Sequence, residues 1–361
     1  MAPTEPPAQV SSVTYSELSD IEADFDDFNV ELLIQQAARE RTLYERRTEI
    51  VRRIAGFWPL VFEQAPPEID QCVQPSDAAV ILSALEEVEV VRFEIGSGGD
   101  GQDGQSGDPR SVAIRFTFGE NELFEDRVLE KRFWHRRAPA KVGADGKPSG
   151  KDAASESWAG LVSEPVPIKW KEGRDPTNGL LDLAVQVWKD GSSSSSSSSS
   201  AAATSASSKA KDELSAQLSK TAIGGLSFFA WFGYVGRRIS AEESAAAIAQ
   251  EREQRAERKA KRAKGEKVGD EDEEEQDDNE KDDEKDDKDD EEYEYEIFPE
   301  GDTVALALAE DLWPNAIKYF RQAQEQETLS DADFEEDYDD IAEDDDEEDE
   351  EEVPPAKKQR T

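Results

Sequence analysis

Carboxylates dominate the chemistry open to this chain. Asp and Glu number 86 against 42 Lys and Arg, a formal net charge of -44. Residues 270–296 hold 20 acids and 3 lysines, and residues 331–352 hold 17 acids and no base. Asp282, Asp283, Glu284, Asp289, Asp290, Glu291 and Glu292 stand in the first tract, and Asp344, Asp345, Asp346, Glu347 and Glu348 in the second. Neither tract has the spaced Asp-x-Asp-x-Asp-Gly pattern that fixes calcium geometry. Runs of this kind do not fold on their own and serve either to solubilise a chain or to bind opposite charge. A polyanion repels nucleic acid and membrane surfaces and attracts strongly basic proteins. These twelve carboxylates are therefore the candidate contacts for a polycationic protein.

Catalysis finds little support. His135 is the only histidine and Cys72 the only cysteine, and no Gly-x-Ser-x-Gly or Cys/His pairing accompanies either. Gly96, Gly98 and Gly101 match Gly-x-Gly-x-x-Gly in form, but they lie in a glycine-rich stretch between two strand patterns with no helix following. The residues predict no enzyme, no cofactor and no metal. The contrary reading, a metal-dependent hydrolase using the acid clusters, needs convergent carboxylates where the chain offers low-complexity runs. A single cysteine excludes intrachain disulfides and fits a reducing compartment. The start, MAPTEPPAQVSS, has neither a basic run nor an apolar core, and no segment approaches a membrane span, so the sequence predicts an intracellular, soluble protein.

Bases gather in two places. Residues 252–267 hold eight bases with interspersed glutamates, which reads either as a nuclear-import or nucleic-acid patch or as a solvated charged helix. At the end of the chain, Lys357, Lys358 and Arg360 follow a proline pair and form a candidate nuclear-localisation signal.

The element that must position these charges is residues 16–56. Leu18, Ile21, Phe25, Phe28, Leu32, Leu43, Ile50 and Ile54 recur at the period of one helix face. Ser19 with Glu22 reads as a capping box, and Gly56 as the stop. Such a helix is about 55 Å long, and a stripe of eight large apolar residues is a poor solvent face. Residues 17–31 hold seven acids and no base, and residues 39–53 hold six bases and three acids. Antiparallel copies set opposite charges together, which predicts an antiparallel homodimer with those eight residues at its interface. The alternative is a helix folding back on its own domain.

Strand patterns follow at 88–95, 112–118, 127–134 and 166–170, with a helix over 75–87. The fold class predicted is α+β: a long N-terminal dimerisation helix, then a four-stranded antiparallel sheet packed against helices, with a disordered acidic insertion and C-terminal tail. The boundaries are a disordered arm at 1–15, the long helix at 16–56, a first domain part at 57–232 with flexible insertions near 96–110 and 190–220, a charged helix with acidic insertion at 233–296, a closing helix at 297–325, and an acidic tail with a basic end at 326–361. Residues 240–267 carry a Ser240/Glu243 capping box and strong helix formers but no apolar face, which predicts a solvated helix.

Six blocks in order resemble the nucleosome assembly protein family, in its SET-like branch of histone chaperones: ERRTEIVRRIAGFW (45–58), LEEVEVVRFE (85–94), FTFGENELFEDRVLEKRF (116–133), PIKWKEGRDP (167–176), SFFAWF (227–232) and DLWPNAIKYF (311–320). The resemblance implies a homodimer joined by the long helix, each protomer carrying an earmuff domain with core histones on its acidic concave underside. It implies ATP-independent nucleosome assembly or histone transfer in the nucleus, with shuttling to the cytoplasm, and gives the acid tracts the role of histone contacts. It also admits a scaffold role, stimulating a histone acetyltransferase or inhibiting a phosphatase. Direct high-affinity DNA binding and membrane association are not expected. The glycine-rich stretch, the serine-rich stretch and the 233–296 insertion are longer than the family core needs.

Overall fold

The computed structural model describes residues 15–95, 107–138, 158–194, 201–220, 225–264 and 295–326. The N-terminal arm, most of the glycine-rich stretch, the first acid tract except residues 295 and 296, the C-terminal tail beyond 326, all twelve candidate acids and Lys357, Lys358 and Arg360 lie outside the described residues.

Helix α1 spans Tyr15–Val51, 37 residues. Ser19 therefore lies inside it rather than capping it, and the helix ends before Gly56, which takes a left-handed conformation (φ 71°) and turns the chain into α2, Phe57–Glu63. Two short helices follow, α3 (Pro67–Asp70) and α4 (Pro75–Ala84). The sheet then runs β1 (Leu85–Val91), β2 (Val112–Phe118), β3 (Val128–Ala138) and β4 (Trp158–Ser163), antiparallel and in the order β1-β2-β3-β4. The expected fourth strand at 166–170 is corrected by this order: Pro165 and Pro167 deny ladder donors there, and the segment instead makes one isolated bridge, Trp170 to Phe124.

Alternation sorts the sheet. Val112, Ile114, Phe116 and Phe118 on β2, with Leu129 and Phe133 on β3, are buried on one face. Against them pack Phe228, Phe229, Trp231 and Phe232 of a 3-10 turn, Phe228–Gly233. The rings of Phe116 and Trp231 meet edge to face at 6.1 Å, and those of Phe118 and Phe124 at 5.2 Å. Asp77 of α4 ties this turn down, accepting hydrogen bonds from Ser227 Oγ and the Phe228 amide, both at 2.7 Å. Burial pushes its pKa up against those bonds.

One inward position of β3 breaks the pattern. Lys131, between Leu129 and Phe133, is fully buried, and its ammonium donates to the carbonyls of Glu164 (2.7 Å), Phe232 (2.9 Å) and Tyr234 (2.6 Å). It joins β3 to the loop after β4 and to the end of the 3-10 turn.

Of the stretch expected to be flexible near 190–220, residues 190–194 end helix α5 (Leu180–Ser194) and residues 201–218 form helix α6 (Ala201–Leu218), while 195–200 lie outside the described residues. Ala210 and Leu214 of α6 are buried in the core, apolar positions four apart on one helix face amid a low-complexity composition. Within 96–110, residues 107–110 are also fixed: the Asp108 carboxylate accepts from the Arg110 amide and guanidinium and lies 3.1 Å from His135 Nδ1. Burial opposes ionisation of Asp108, but Arg110 and His135 outweigh it and hold the carboxyl well below the usual range. Stability from this group is thus present above the unfolded value of about 3.9 and is lost as pH falls below it. Asp108→Asn is expected to cost about 1–3 kcal/mol at pH 7, and chemical denaturation should find the gap between the two proteins narrowing steadily as pH falls below about 4.

The chain closes with a helical segment that begins at Gly301–Leu306, passes through a π-turn at Ala307–Leu312 and is helical again over 316–326. Trp231 Nε1 donates to the Gly301 carbonyl (2.8 Å), and Phe320 stacks on Phe57 at 4.7 Å. The last segment thereby seals the core laid down by the first.

Candidate binding surface

Two surfaces stand out, both built on α1. The first is its apolar stripe. Leu18, Ile21, Phe25, Phe28, Leu32, Leu43 and Ile50 lie on α1, and Ile54 in the turn beyond it; all eight are exposed in the single chain, Phe25 to 65% and Leu43 to 62%. Helix periodicity set this stripe apart from the faces that meet the domain. A contiguous apolar surface of this size marks an interaction site.

The second is charged. Helix α7 (Ala241–Ala263) opens with the expected capping box: Ser240 Oγ accepts from the Glu243 amide at 3.1 Å, and Glu243 accepts from the Ser240 amide at 2.8 Å. It is not, however, a solvated helix. It packs on β3 and reaches across to the acidic half of α1 through ion pairs. Its inner positions are Ser244 and Ala247, which are buried, and Ile248, Glu251, Arg255, Arg258 and Arg262, which are half-buried; from Ile248 on they are spaced alternately by three and four residues. That is the spacing of a two-helix seam, carrying charge where such seams carry leucine. Arg258 and Arg262 reach Asp20 at 3.1 and 2.5 Å; Arg255 bonds Asp24 and, at 2.7 Å, Asp27; Lys259 bonds Asp24 at 3.0 Å. Arg137 at the end of β3 binds both helices, Asp26 of α1 at 3.0 Å and Glu251 of α7 at 2.7 Å. Hydrogen bonds from Lys259 and Arg255 lower the pKa of Asp24.

This seam revises the charge argument for α1. Asp20, Asp24, Asp26 and Asp27, expected to face the basic half of a second copy, are neutralised by cations of their own chain. The basic half is also engaged: Arg52 bonds Glu87 at 2.9 Å, and Arg47 donates to the Trp313 carbonyl at 2.6 Å while its guanidinium lies 4.7 Å from the ring of Tyr44 and 4.3 Å from that of Trp313. Burial there pushes the Arg47 pKa down to about 10. The apolar stripe of α1, by contrast, meets nothing among the described residues of its own chain that covers it. The α7 seam was legible as matching three- and four-residue spacings of acids on one helix and bases on the other, a signal that a search for apolar faces passes over.

A third feature is an acid-edged lip. Asn121 Oδ1 accepts from the amides of Leu123 and Phe124, closing a tight turn after β2, and the Glu125 amide donates to the Lys169 carbonyl at 2.9 Å. Glu120, Glu122 and Glu125, with Glu164 and Glu172 on the following loop, are exposed, while Lys169 lies 3.5 Å from Asp126 and Arg174 4.0 Å from Glu122. The outer sheet face, by contrast, is charge-balanced: Arg115 bonds Glu89 at 2.6 Å and Glu130 at 2.7 Å. Among the described residues no group of side chains could hold a metal ion, and no helix is long and apolar enough to cross a membrane.

A long helix leads into a four-stranded antiparallel sheet backed by aromatic turns and a closing helix, and a nucleosome assembly protein (NAP) family profile matches residues 14–323 of this chain. The chain belongs to the nucleosome assembly protein family. Its relatives include the Schizosaccharomyces pombe protein C36B7.08c, whose name places it with the nucleosome assembly proteins, 30% identical over 164 residues (44% of this chain, 58% of the relative). Protein SET of Drosophila melanogaster is 34% identical over 132 residues (37% of this chain, 39% of the relative). The matches span about half the length of these relatives. Among solved structures, Ccp1 covers 86% of this chain and 95% of its own at 22% identity and TM-score 0.48, and the Vps75 histone chaperone 85% and 97% at 18% and 0.44.

Proposed function

We propose that this protein is a nuclear histone chaperone that works as a homodimer, binds core histones through acidic surfaces and delivers them to DNA without ATP. The observation that carries the reading is the concentration of acid in two tracts of the sequence: residues 270–296 and 331–352 each carry a net charge of -17 (20 acids less 3 lysines, and 17 acids) on a chain that matches the family over residues 14–323. Asp282, Asp283, Glu284, Asp289, Asp290, Glu291, Glu292, Asp344, Asp345, Asp346, Glu347 and Glu348 supply capture range. The lip bearing Glu120, Glu122 and Glu125 supplies shape. Carboxylates neutralise the Lys/Arg surface of the histones, suppress their nonspecific contacts with DNA and yield them when DNA competes better. Each exposed contact is worth about 0.2–1 kcal/mol, and many held on one dimer add avidity. Lys357, Lys358 and Arg360 direct the protein to the nucleus, and shuttling to the cytoplasm belongs to the same reading.

Light scattering of the full chain, alone and with core histones, tests this. The expected result is a mass of twice 40.1 kDa alone, and a histone complex whose Kd weakens at least tenfold between 0.15 and 0.5 M NaCl as screening shortens the reach of the charges. An affinity flat across that range contradicts the reading.

A further inference from the structure

The seam between α1 and α7 has the spacing of a permanent helix pair and the chemistry of a temporary one. From Glu251 to Arg262 every inner position of α7 is charged, and the apolar contribution is confined to Ala247 and the half-buried Ile248 nearer its start. Asp24 and Asp27 are more than half exposed, and only Asp20 is buried. Exposed ion pairs are individually weak and screened by salt. As a ligand for the α1 aspartates, α7 is also diluted: residues 251–262 carry six bases and three glutamates. An arginine-rich chain lacking those glutamates offers the same guanidinium contacts at higher charge density.

We infer that α7 is a built-in competitor, occupying in cis an acidic strip of α1 (Asp20, Asp24, Asp26, Asp27) from which an arginine-rich partner segment displaces it. The inference rests on the polycation-binding reading above and deepens it: engaging the partner and unclasping α7 are one event. Tethering gives α7 a high effective concentration, so simple cations loosen the clasp gradually while a polyvalent one replaces it. While closed, the clasp lowers the apparent affinity of the strip by the fraction of time it is open. Arg137, which holds Asp26 and Glu251 together from β3, keeps the start of α7 anchored when its later turns release, so α7 swings and does not detach.

The test is amide hydrogen exchange across residues 248–263 of the full chain, alone, with an octa-arginine peptide and with core histones. Bound octa-arginine is expected to speed exchange in α7 about tenfold or more while the β2 and β3 amides stay protected. The variant Arg255→Glu, Arg258→Glu, or the milder Arg255→Gln, Arg258→Gln should the first fail to fold, is expected to exchange rapidly in α7 without peptide. It should bind octa-arginine about tenfold more tightly than the parent, the gain expected if the clasp is open about one tenth of the time. Unchanged α7 protection with peptide bound, absence of peptide binding, or an opened variant that binds no more tightly overturns the inference. Octa-arginine unclasping α7 while core histones fail to bind would instead sink the histone reading and leave the clasp standing.

Discussion

Lys131→Met is expected to cost the folded state about 3–5 kcal/mol, the range for removing one partner from a buried charged network. Methionine fills a similar volume, so the loss reports chemistry and not a cavity. Three carbonyls, of Glu164, Phe232 and Tyr234, lose their shared donor, and the buried Glu296, whose carboxylate accepts from the amides of Val235 and Gly236, loses the nearby positive charge. Urea unfolding followed by tryptophan fluorescence measures the cost, and a change under about 1 kcal/mol would show that water replaces the ammonium at no penalty. The pH dependence gives a second reading. Burial pushes the Lys131 pKa well below its ordinary value, with Glu296 and Glu164 opposing. A depressed folded value means that the folded chain releases this proton more readily than the unfolded one. The stability lost to burying the charge is therefore regained as pH rises toward the unfolded value of about 10.4. The parent should gain on the variant between neutral and alkaline pH.

The second large effect is expected on α1. Phe25→Asp with Phe28→Asp should yield a protein of 40.1 kDa in solution in place of twice that mass. The rings are 65% and 59% exposed in the single chain, so their replacement leaves the unfolding midpoint of the domain nearly unchanged. In a pair of chains they make four buried rings, about 6–12 kcal/mol at 1.5–3 kcal/mol for each. That is four or more powers of ten in the dimerisation constant. Analytical ultracentrifugation decides it: a variant that still sediments at twice the chain mass places the contact elsewhere.

What the sequence disclosed, it disclosed through period. The stripe from Leu18 to Ile50 and the alternation of Val112, Ile114, Phe116 and Phe118 are direct imprints of helix and strand geometry. Period and local chemistry disagree at the fourth strand. The segment VPIKW looks like a strand by its apolar content, but Pro165 and Pro167 bar it from a ladder, whereas the true strand, WAGLVS, contains alanine and glycine of low strand propensity. Its place depends on distant partners such as the Val235 carbonyl, which accepts from the Ser163 amide. Lys131 was visible as a charge at an inward strand position, and the inward position was the clue. The α7 seam has no apolar face to announce it, since Arg255, Arg258 and Arg262 define its inner side by charge. The candidate acids at 282–292 and 344–348 rest on composition, since no periodic pattern places them.

The pin at Arg47 has a consequence for biosynthesis. Its carbonyl acceptor on Trp313 stands 266 residues later in the chain, and Phe57 waits as long for Phe320. At about 5–20 residues per second of translation, α1 leaves the ribosome roughly 13–53 s before the segment that seats its basic half. Throughout that interval the nascent chain displays both an unfinished aromatic core and the apolar face of a finished helix. For the proposed homodimer, pairing between two neighbouring nascent chains on one message would then precede completion of either domain.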